Sequence, residues 1–332
     1  MTDKIILRKG NRQRLELAST DLQLLVFLEQ QRMLTVQQLY QVSTILFKQE
    51  IQEYSFKNRL RKWEEYKLIR SDFYSNGFEG ERFKYVYIGS KGIDLLIEQK
   101  MLDPSYNKQK IYKFNQKKNV IHYLATQQAA LNILFSLNRK MMTSLDGKVK
   151  KYGMIYNENL FSHSPATFPY EEWIPDTRNL HHQNQGAYHA NIAKYMSQSN
   201  SSSQQSGKTL TIVKPDWIIR LKPNTERELF INIELDTGTE PIDTLVEKVF
   251  KYAILAENTP SEQHYMCIII ADDSFSSRSR FGDGIKRSKN IVERILTDDL
   301  VKKRIKETKL IPLVKPLKFA DRNLVQLLKK YS

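Results

Sequence analysis

One cysteine, Cys267 in the apolar run MCIII, is all this chain contains. A lone thiol closes no internal disulfide and builds no cysteine-based zinc site, so a reducing, cytoplasmic setting is expected. Long apolar runs are missing too. No stretch approaches the ~20 apolar residues of a membrane-spanning helix. The opening MTDKIILRKGNRQR has no apolar block followed by a small-residue cleavage site, which reads as no secretory signal. Histidines number six. His181, His182 and His189 share one polar stretch at irregular spacing, without an acidic or cysteine partner nearby, and read as loop residues rather than metal ligands. With no diagnostic histidine cluster, none of the 17 tyrosines is supported as the nucleophile of a covalent relaxase. Acidic residues are short: 37 Asp or Glu against 52 Lys or Arg, a net charge of +15. Such a surface attracts polyanions through their counterion atmosphere. Nucleic acid is the first class implied. An anionic membrane surface is the second, but no basic amphipathic helix with bulky apolar anchors stands out, so no membrane partner is expected.

What is present fits two domains, as 332 residues suggest. STDLQLLVFLEQQRML reads as a helix that Ser19 or Thr20 can cap, with Leu22, Leu25, Val26 and Leu28 as its apolar face. In LTVQQLYQVS, Thr35 can cap a second helix. In SFKNRLRKWEEYKLI, Ser55 can cap a third. Phe56, Leu60 and Trp63 of that helix point inward, and Lys57, Asn58, Arg59, Arg61 and Lys62 mostly outward. The period then changes to alternation. Leu68 to Tyr74 and Phe83 to Ile88 read as two strands, with Asn-Gly and Glu-Gly between them, as a hairpin needs. A further helix begins over Gly92 to Gln99.

Three helices followed by a hairpin is the order of a winged helix-turn-helix. Its third helix enters the major groove and its wing touches backbone or minor groove. Between Ser55 and Lys91 stand nine Lys or Arg against five Asp or Glu, with Arg82 and Lys84 on the wing itself. The candidate DNA-binding residues are therefore Lys57, Asn58, Arg59, Arg61, Lys62, Arg82 and Lys84. The plainer alternative is a solvated helix face, or a winged helix used for protein contacts.

Residues 1–102 are expected to form this winged-helix domain, 103–118 a linker, and 119–332 the second domain. NVIHYLATQQAALNILFSLNRKM, with Val120, Leu124, Leu131 and Leu134 at helical spacing, opens it. Residues at about 175–208, including NLHHQNQGAYHANIAKYMSQSNSSSQQSG, are polar and low in complexity and are expected to be a disordered insertion. Strands follow in TLTIVKPDWIIRL, broken by a turn at Pro215-Asp216, and in ELFINIELD. A helix in DTLVEKVFKYAILAE and a covered strand in HYMCIIIADD come next, then a helix from about Ser288 to Thr297 and further strand and helix. The fold expected is α+β or α/β: an N-terminal winged helix-turn-helix followed by a PD-(D/E)xK nuclease-like α/β domain.

The chemistry behind that expectation is phosphodiester cleavage, which needs an activated water and neutralisation of developing charge. Bound Mg²⁺ can supply both. Mg²⁺ takes one or two carboxylates plus waters. Asp216 and Glu234, at the ends of neighbouring strands, are the candidate metal ligands, and a nearby lysine could stabilise charge. The PD-(D/E)xK pattern puts that lysine two residues after the Glu, where this chain has Asp236. Strand alternation puts 234 and 236 on one face. Lys248 or Lys251, three apart on the following helix, could supply the charge instead. The candidate catalytic set is Asp216, Glu234, Asp236 and Lys248. Each member also has a plain account as a turn residue or a solvated charge.

IELDTGTEP followed by LVEKVFKY resembles the replication-relaxation family of Gram-positive plasmids and integrative elements. DLQLLVFLEQQRMLTVQQL, NRLRKWEEYKLI and IHYLATQQAALNIL, with His122 before the helix, fit the same family more loosely. The resemblance runs from about Asp21 to about Ala271, apart from the insertion. It implies a winged-helix front, a restriction-endonuclease-like back, and a pocket of Asp216, Glu234, Asp236 and Lys248. It further implies a DNA-binding protein of a plasmid or integrative mobile element, acting in replication or DNA relaxation and mobilisation. The competing expectations are an active Mg²⁺-dependent endonuclease or nickase, and a winged-helix transcriptional regulator. Expected partners are double-stranded DNA, other replication or mobilisation proteins, and a second copy of the chain as a homodimer.

Overall fold

A computed structural model describes residues 4–9, 13–75, 82–106, 120–142, 161–163, 215–221, 228–258, 260–273 and 281–331. It is an α+β protein in two compact units, Met1–Leu131 and Asn132–Ser332.

The first unit begins with a two-stranded antiparallel hairpin, β1 (Ile5–Lys9) and β2 (Gln13–Leu17). Helix α1 (Ser19–Gln31) follows. Its N-cap is Ala18, not Ser19 or Thr20, and the Asp21 carboxylate accepts from the Ala18 backbone N–H at 2.9 Å. An acid in the first turn does the work the cap side chain would otherwise do. After β3 (Leu34–Thr35) comes α2 (Val36–Gln41), which runs on as a π-turn over Val42–Leu46. Thr35 caps α2 as expected: its hydroxyl accepts from Gln38 N at 3.0 Å, and Gln38 Oε1 accepts from Thr35 N at 2.8 Å.

Helix α3 (Glu53–Glu65) starts two residues before Ser55, with Gln52 at its N-cap. Phe56, Leu60 and Trp63 are buried, as the spacing predicts. Strands β4 (Ile69–Ser75) and β5 (Arg82–Ile88) pair antiparallel, and β3 adds to β5, giving the sheet order β3-β5-β4. Helix α4 (Ser90–Glu98) follows. The expected linker is described only as far as Tyr106.

Helix α5 (Val120–Met142) carries the division between the units. His122 lies inside it, not before it. Its first half belongs to the first unit for a visible reason. Gln127 Nε2 donates to Met33 O at 2.9 Å, and Gln38 Nε2 donates to Leu124 O at 3.0 Å.

The second unit is built on a five-stranded mixed sheet of β6 (Phe161–His163), β7 (Trp217–Leu221), β8 (Glu228–Asp236), β9 (Glu262–Ile270) and β10 (Ile311–Pro316), ordered β10-β9-β8-β7-β6. Strands β8, β9 and β10 are mutually parallel, and β7 is antiparallel to both β8 and β6. Parallel neighbours need crossovers. These are α6 (Ile242–Asn258) between β8 and β9, and α7 (Ile285–Thr297) with α8 (Asp299–Thr308) between β9 and β10. Helix α9 (Leu317–Tyr331) closes the chain. Phe230, Met266, Ile268 and Ile270 form one core with Leu245, Val249, Ala253, Ile291, Ile295 and Val314. On the opposite face Trp217, Ile231, Ile233, Tyr265 and Cys267 are buried as well, the pattern of strands covered on both sides. No helix is long and apolar enough to cross a membrane among the described residues. The expected insertion at 175–208, with its three histidines, lies outside the described residues, as does the strand expected before Lys214.

Candidate functional site

The C-terminal half of β8 is unusual for a buried strand. Asn232, Glu234 and Asp236 alternate with Ile231, Ile233 and Leu235, and all are buried. The period of two sends the polar residues to the face that α6 and α7 cover. On β7, Trp217 stands opposite Ile233. Asp216, one residue earlier, therefore comes opposite Glu234. Its Oδ2 accepts from the Leu235 backbone N–H at 2.9 Å.

Each remaining carboxylate is matched to a donor. Glu234 Oε2 accepts from Lys248 Nζ at 3.0 Å, and Oε1 from the Tyr252 hydroxyl at 3.1 Å. Lys248 and Tyr252 are one helical turn apart on α6 and so share its inner face. Lys248 also donates to Glu240 at 3.1 Å. Asp236 receives Arg287 of α7 on both oxygens, from Nε at 2.5 Å and Nη2 at 3.2 Å. This is the two-pronged geometry in which guanidinium pairs are strongest. The Arg287 Nη2 group also donates to Glu240 O at 2.6 Å, and its guanidinium lies 4.7 Å from the Phe281 ring centre.

The loop IELDTGTEP is explained by these contacts. Glu234 and Asp236 are the two inward carboxylates. Gly238, at φ +85°, donates to Asp236 Oδ1 at 2.8 Å. A Cβ at 238 would stand 2.0 Å from the Phe281 ring, so the residue is glycine for both conformation and space. Glu240 shares Lys248 with Glu234, and Pro241 O accepts from Thr244 N as α6 begins.

Electrostatics follow from burial. Desolvation pushes the Glu234 carboxyl up to about 7; the charge of Asp216 adds to this, while Lys248 and Tyr252 oppose it. For Lys248, burial works against its charge, but Glu234 and Glu240 prevail and raise its pKa above the usual lysine range. Burial, then Glu234, raises the Tyr252 hydroxyl. Burial also pushes the Cys267 thiol up to about 12, which leaves no thiolate for chemistry.

Asp216 and Glu234 were the candidate metal ligands. A divalent cation needs carboxylate oxygens turned to it, with room for water. Here both Glu234 oxygens already accept hydrogens, and Asp236 is closed by Arg287. Among the described residues no three His, Cys, Asp or Glu side chains form a metal-holding group. The arrangement is an ion-paired acidic centre.

A model of the replication-relaxation family matches residues 25–269. The chain belongs to the replication-relaxation family. No curated protein matches it.

In this replication-relaxation protein the resemblance of IELDTGTEP thus marks a built centre at the C-terminal end of the central strand β8. The structure brings Asp216, Glu234 and Lys248 together, with Asp236 beside them under Arg287. Lys251 is not part of it; it pairs with Glu247 at 2.6 Å. Sequence reasoning missed Arg287, Tyr252 and Glu240. Arg287 lies 51 residues beyond Asp236, and no local spacing announces it. Tyr252 was findable, because it falls one turn after Lys248 on a helix whose face was already assigned.

The basic residues of the first unit divide. Arg61 and Lys62 of α3 are exposed. Lys57 is exposed and pairs with Glu53 at 2.7 Å, one turn back. Asn58 is half-buried. Arg59 turns inward, against expectation. Its Nη1 reaches Asp21 Oδ1 at 2.9 Å, and Asp21 is buried. The physical reason is that Asp21 caps α1 and cannot be left with an unpaired charge. Lys84 on β5 donates to Glu64 of α3 at 3.0 Å and lies over the Phe73 ring. Arg82 opens β5, and its side chain lies outside the described residues.

Proposed function

We propose that this chain is a DNA-binding protein of a plasmid or integrative mobile element, acting in replication, DNA relaxation or mobilisation. The reading rests on family membership together with one observation in the first unit. Three helices precede an antiparallel hairpin, and the third helix exposes Lys57, Arg61 and Lys62. We read this unit as a winged helix-turn-helix whose α3 lies in the major groove of duplex DNA. Exposed lysine and arginine there contact phosphates, and base edges supply any sequence preference.

The second unit is read as a nuclease-like core that keeps the PD-(D/E)xK frame. Asp216 and Glu234 stand opposite each other, and Lys248 from α6 replaces the lysine that Asp236 displaces from β8. With Glu234 and Asp236 both engaged by neighbouring donors, the centre in this reading is structural rather than catalytic. The adjacency of Asp216, Glu234 and Lys248 favours one alternative, a metal-dependent nickase.

Incubation with supercoiled plasmid and Mg²⁺ or Mn²⁺, followed on agarose and by gel shift, tests both. A DNA-binding role without strand cleavage expects retarded plasmid that stays supercoiled. Nicking that disappears in both Asp216→Ala and Glu234→Ala would convert the assignment to an enzyme.

A further inference from the structure

Most of the positive charge of the chain lies outside the winged-helix module. Residues 1–102, which hold that module, carry 17 Lys or Arg and 13 Asp or Glu, a net charge of +4. Residues 285–331 carry 14 Lys or Arg and five Asp or Glu, a net +9, and residues 107–214 carry the same balance. The segment between these two, 215–284, has seven basic and 13 acidic residues, a net −6. One unit therefore joins an acidic centre to a basic tail segment made of α7, α8, β10 and α9. This segment lies beyond the family match, which ends at residue 269.

Within it, arginines and lysines have separate tasks. Three of its four arginines turn to acids, Arg287 to Asp236, Arg294 to Asp243 at 2.9 Å and Arg304 to Glu257 at 2.7 Å, while Arg322 is exposed. The lysines Lys286, Lys289, Lys302, Lys303 and Lys306 are exposed. On α8 the inner face carries the buried Val301 and Thr308. Helical geometry puts Lys302, Lys303 and Lys306 together on the opposite face. Lys303 has a partner only at 3.9 Å, in Glu307. Arginine suits fixed two-pronged pairs, whereas an exposed ammonium is a mobile point charge that accepts a phosphate in any register.

We propose that the outer face of α8, with Lys302, Lys303 and Lys306, is a second DNA contact, binding the phosphate backbone of duplex DNA without reading its sequence. The inference rests on the DNA-binding reading above. It goes further by giving the second unit a share of the non-specific affinity. Affinity for phosphates scales with the number neutralised, so the exposed lysines of α8 add to the contacts made by α3.

The test is fluorescence anisotropy of a labelled duplex of arbitrary sequence, titrated with the full chain over a range of NaCl. The triple variant Lys302→Gln/Lys303→Gln/Lys306→Gln is compared with wild type and with Arg61→Gln/Lys62→Gln. Circular dichroism confirms folding of each. The proposal expects the triple variant to lose at least about tenfold in affinity, equally for unrelated duplexes. Its log–log salt slope should be shallower by about 2 to 3, roughly 0.9 per phosphate contact. Unchanged affinity and slope in the triple variant, with weakened binding in the α3 variant, overturns the α8 surface and leaves the DNA reading standing. No duplex binding by wild type removes that reading and the α8 surface with it. If the triple variant instead loses binding to phosphatidylserine vesicles alone, the surface belongs to a membrane and the proposal is wrong.

Discussion

Helix α3 and strand β8 handle charge in opposite ways. On α3, Lys57, Arg61 and Lys62 stay in water, and their only described tie is a helix-surface pair to Glu53. On β8, Glu234 and Asp236 are buried, and every oxygen has an assigned donor from α6, α7 or the intervening loop. The difference teaches how to read a charged residue in a sequence. A solvated charge is interchangeable and contributes little to stability. A buried one is part of the core, and its partner's loss leaves an uncompensated charge in a low dielectric.

The largest expected break of this contrast is Arg287→Ala. It strands Asp236, whose side chain is fully buried. The loss should be about 3–5 kcal/mol of stability, read from urea unfolding at neutral pH. A loss below about 1 kcal/mol would mean that Asp236 does not depend on this pair.

Glu234 sharpens the comparison through pH. Its folded-state carboxyl titrates near 7 against an ordinary value of 4.5, so the folded chain holds that proton more tightly than the unfolded chain. Stability from this group is full below about 4.5 and is lost as pH rises through 7. The loss amounts to at most about 1.4 kcal/mol per pH unit inside that window. Glu234→Gln keeps the shape and removes the titration. Unfolding midpoints at pH 5 and pH 7.5 should lie closer together in this variant than in wild type, and equal gaps in the two would contradict the assignment.

The smallest effects separate two neighbours on α3. Arg59→Ala should cost about 1–2 kcal/mol of stability, because Asp21 loses its partner, with the half-exposed arginine moderating the penalty. Arg61→Ala should leave stability within about 0.5 kcal/mol and instead weaken duplex binding severalfold. Thermal unfolding paired with anisotropy on the same preparations distinguishes them. Reversed roles would place α3 the other way round.

Much of the first unit was legible because its signals are local. Thr35 and Gln38 spell a capping box within four residues, and the alternation of RFKYVYI marks β5 directly. The misplaced caps at Ser19 and Ser55 show the limit. A serine near a helix start is a permitted cap, and Asp21 and Gln52 settled the ends differently. The N-terminal hairpin β1–β2 went unread because its strands are short and mixed in polarity. In the second unit the row Glu234, Asp236 and the position of Lys248 were legible from period two and period 3.6. Their state was not. Whether Asp236 meets water, a cation or Arg287 depends on a crossover that returns 51 residues later. The short helix α8 was likewise unread, since DLVKKRIKET shows charge more plainly than an apolar stripe.

Strand β8 is held by β7 on one side and β9 on the other, over most of its length. A carboxylate anchored in the middle of a sheet has no freedom to migrate, whereas the helices packed above can exchange one side chain for another at little backbone expense. The character of this centre is therefore set from overhead, at positions 248, 252 and 287. Exchanging those three residues would turn the same acidic row from a sealed ion-pair cluster into an open one without moving a single strand.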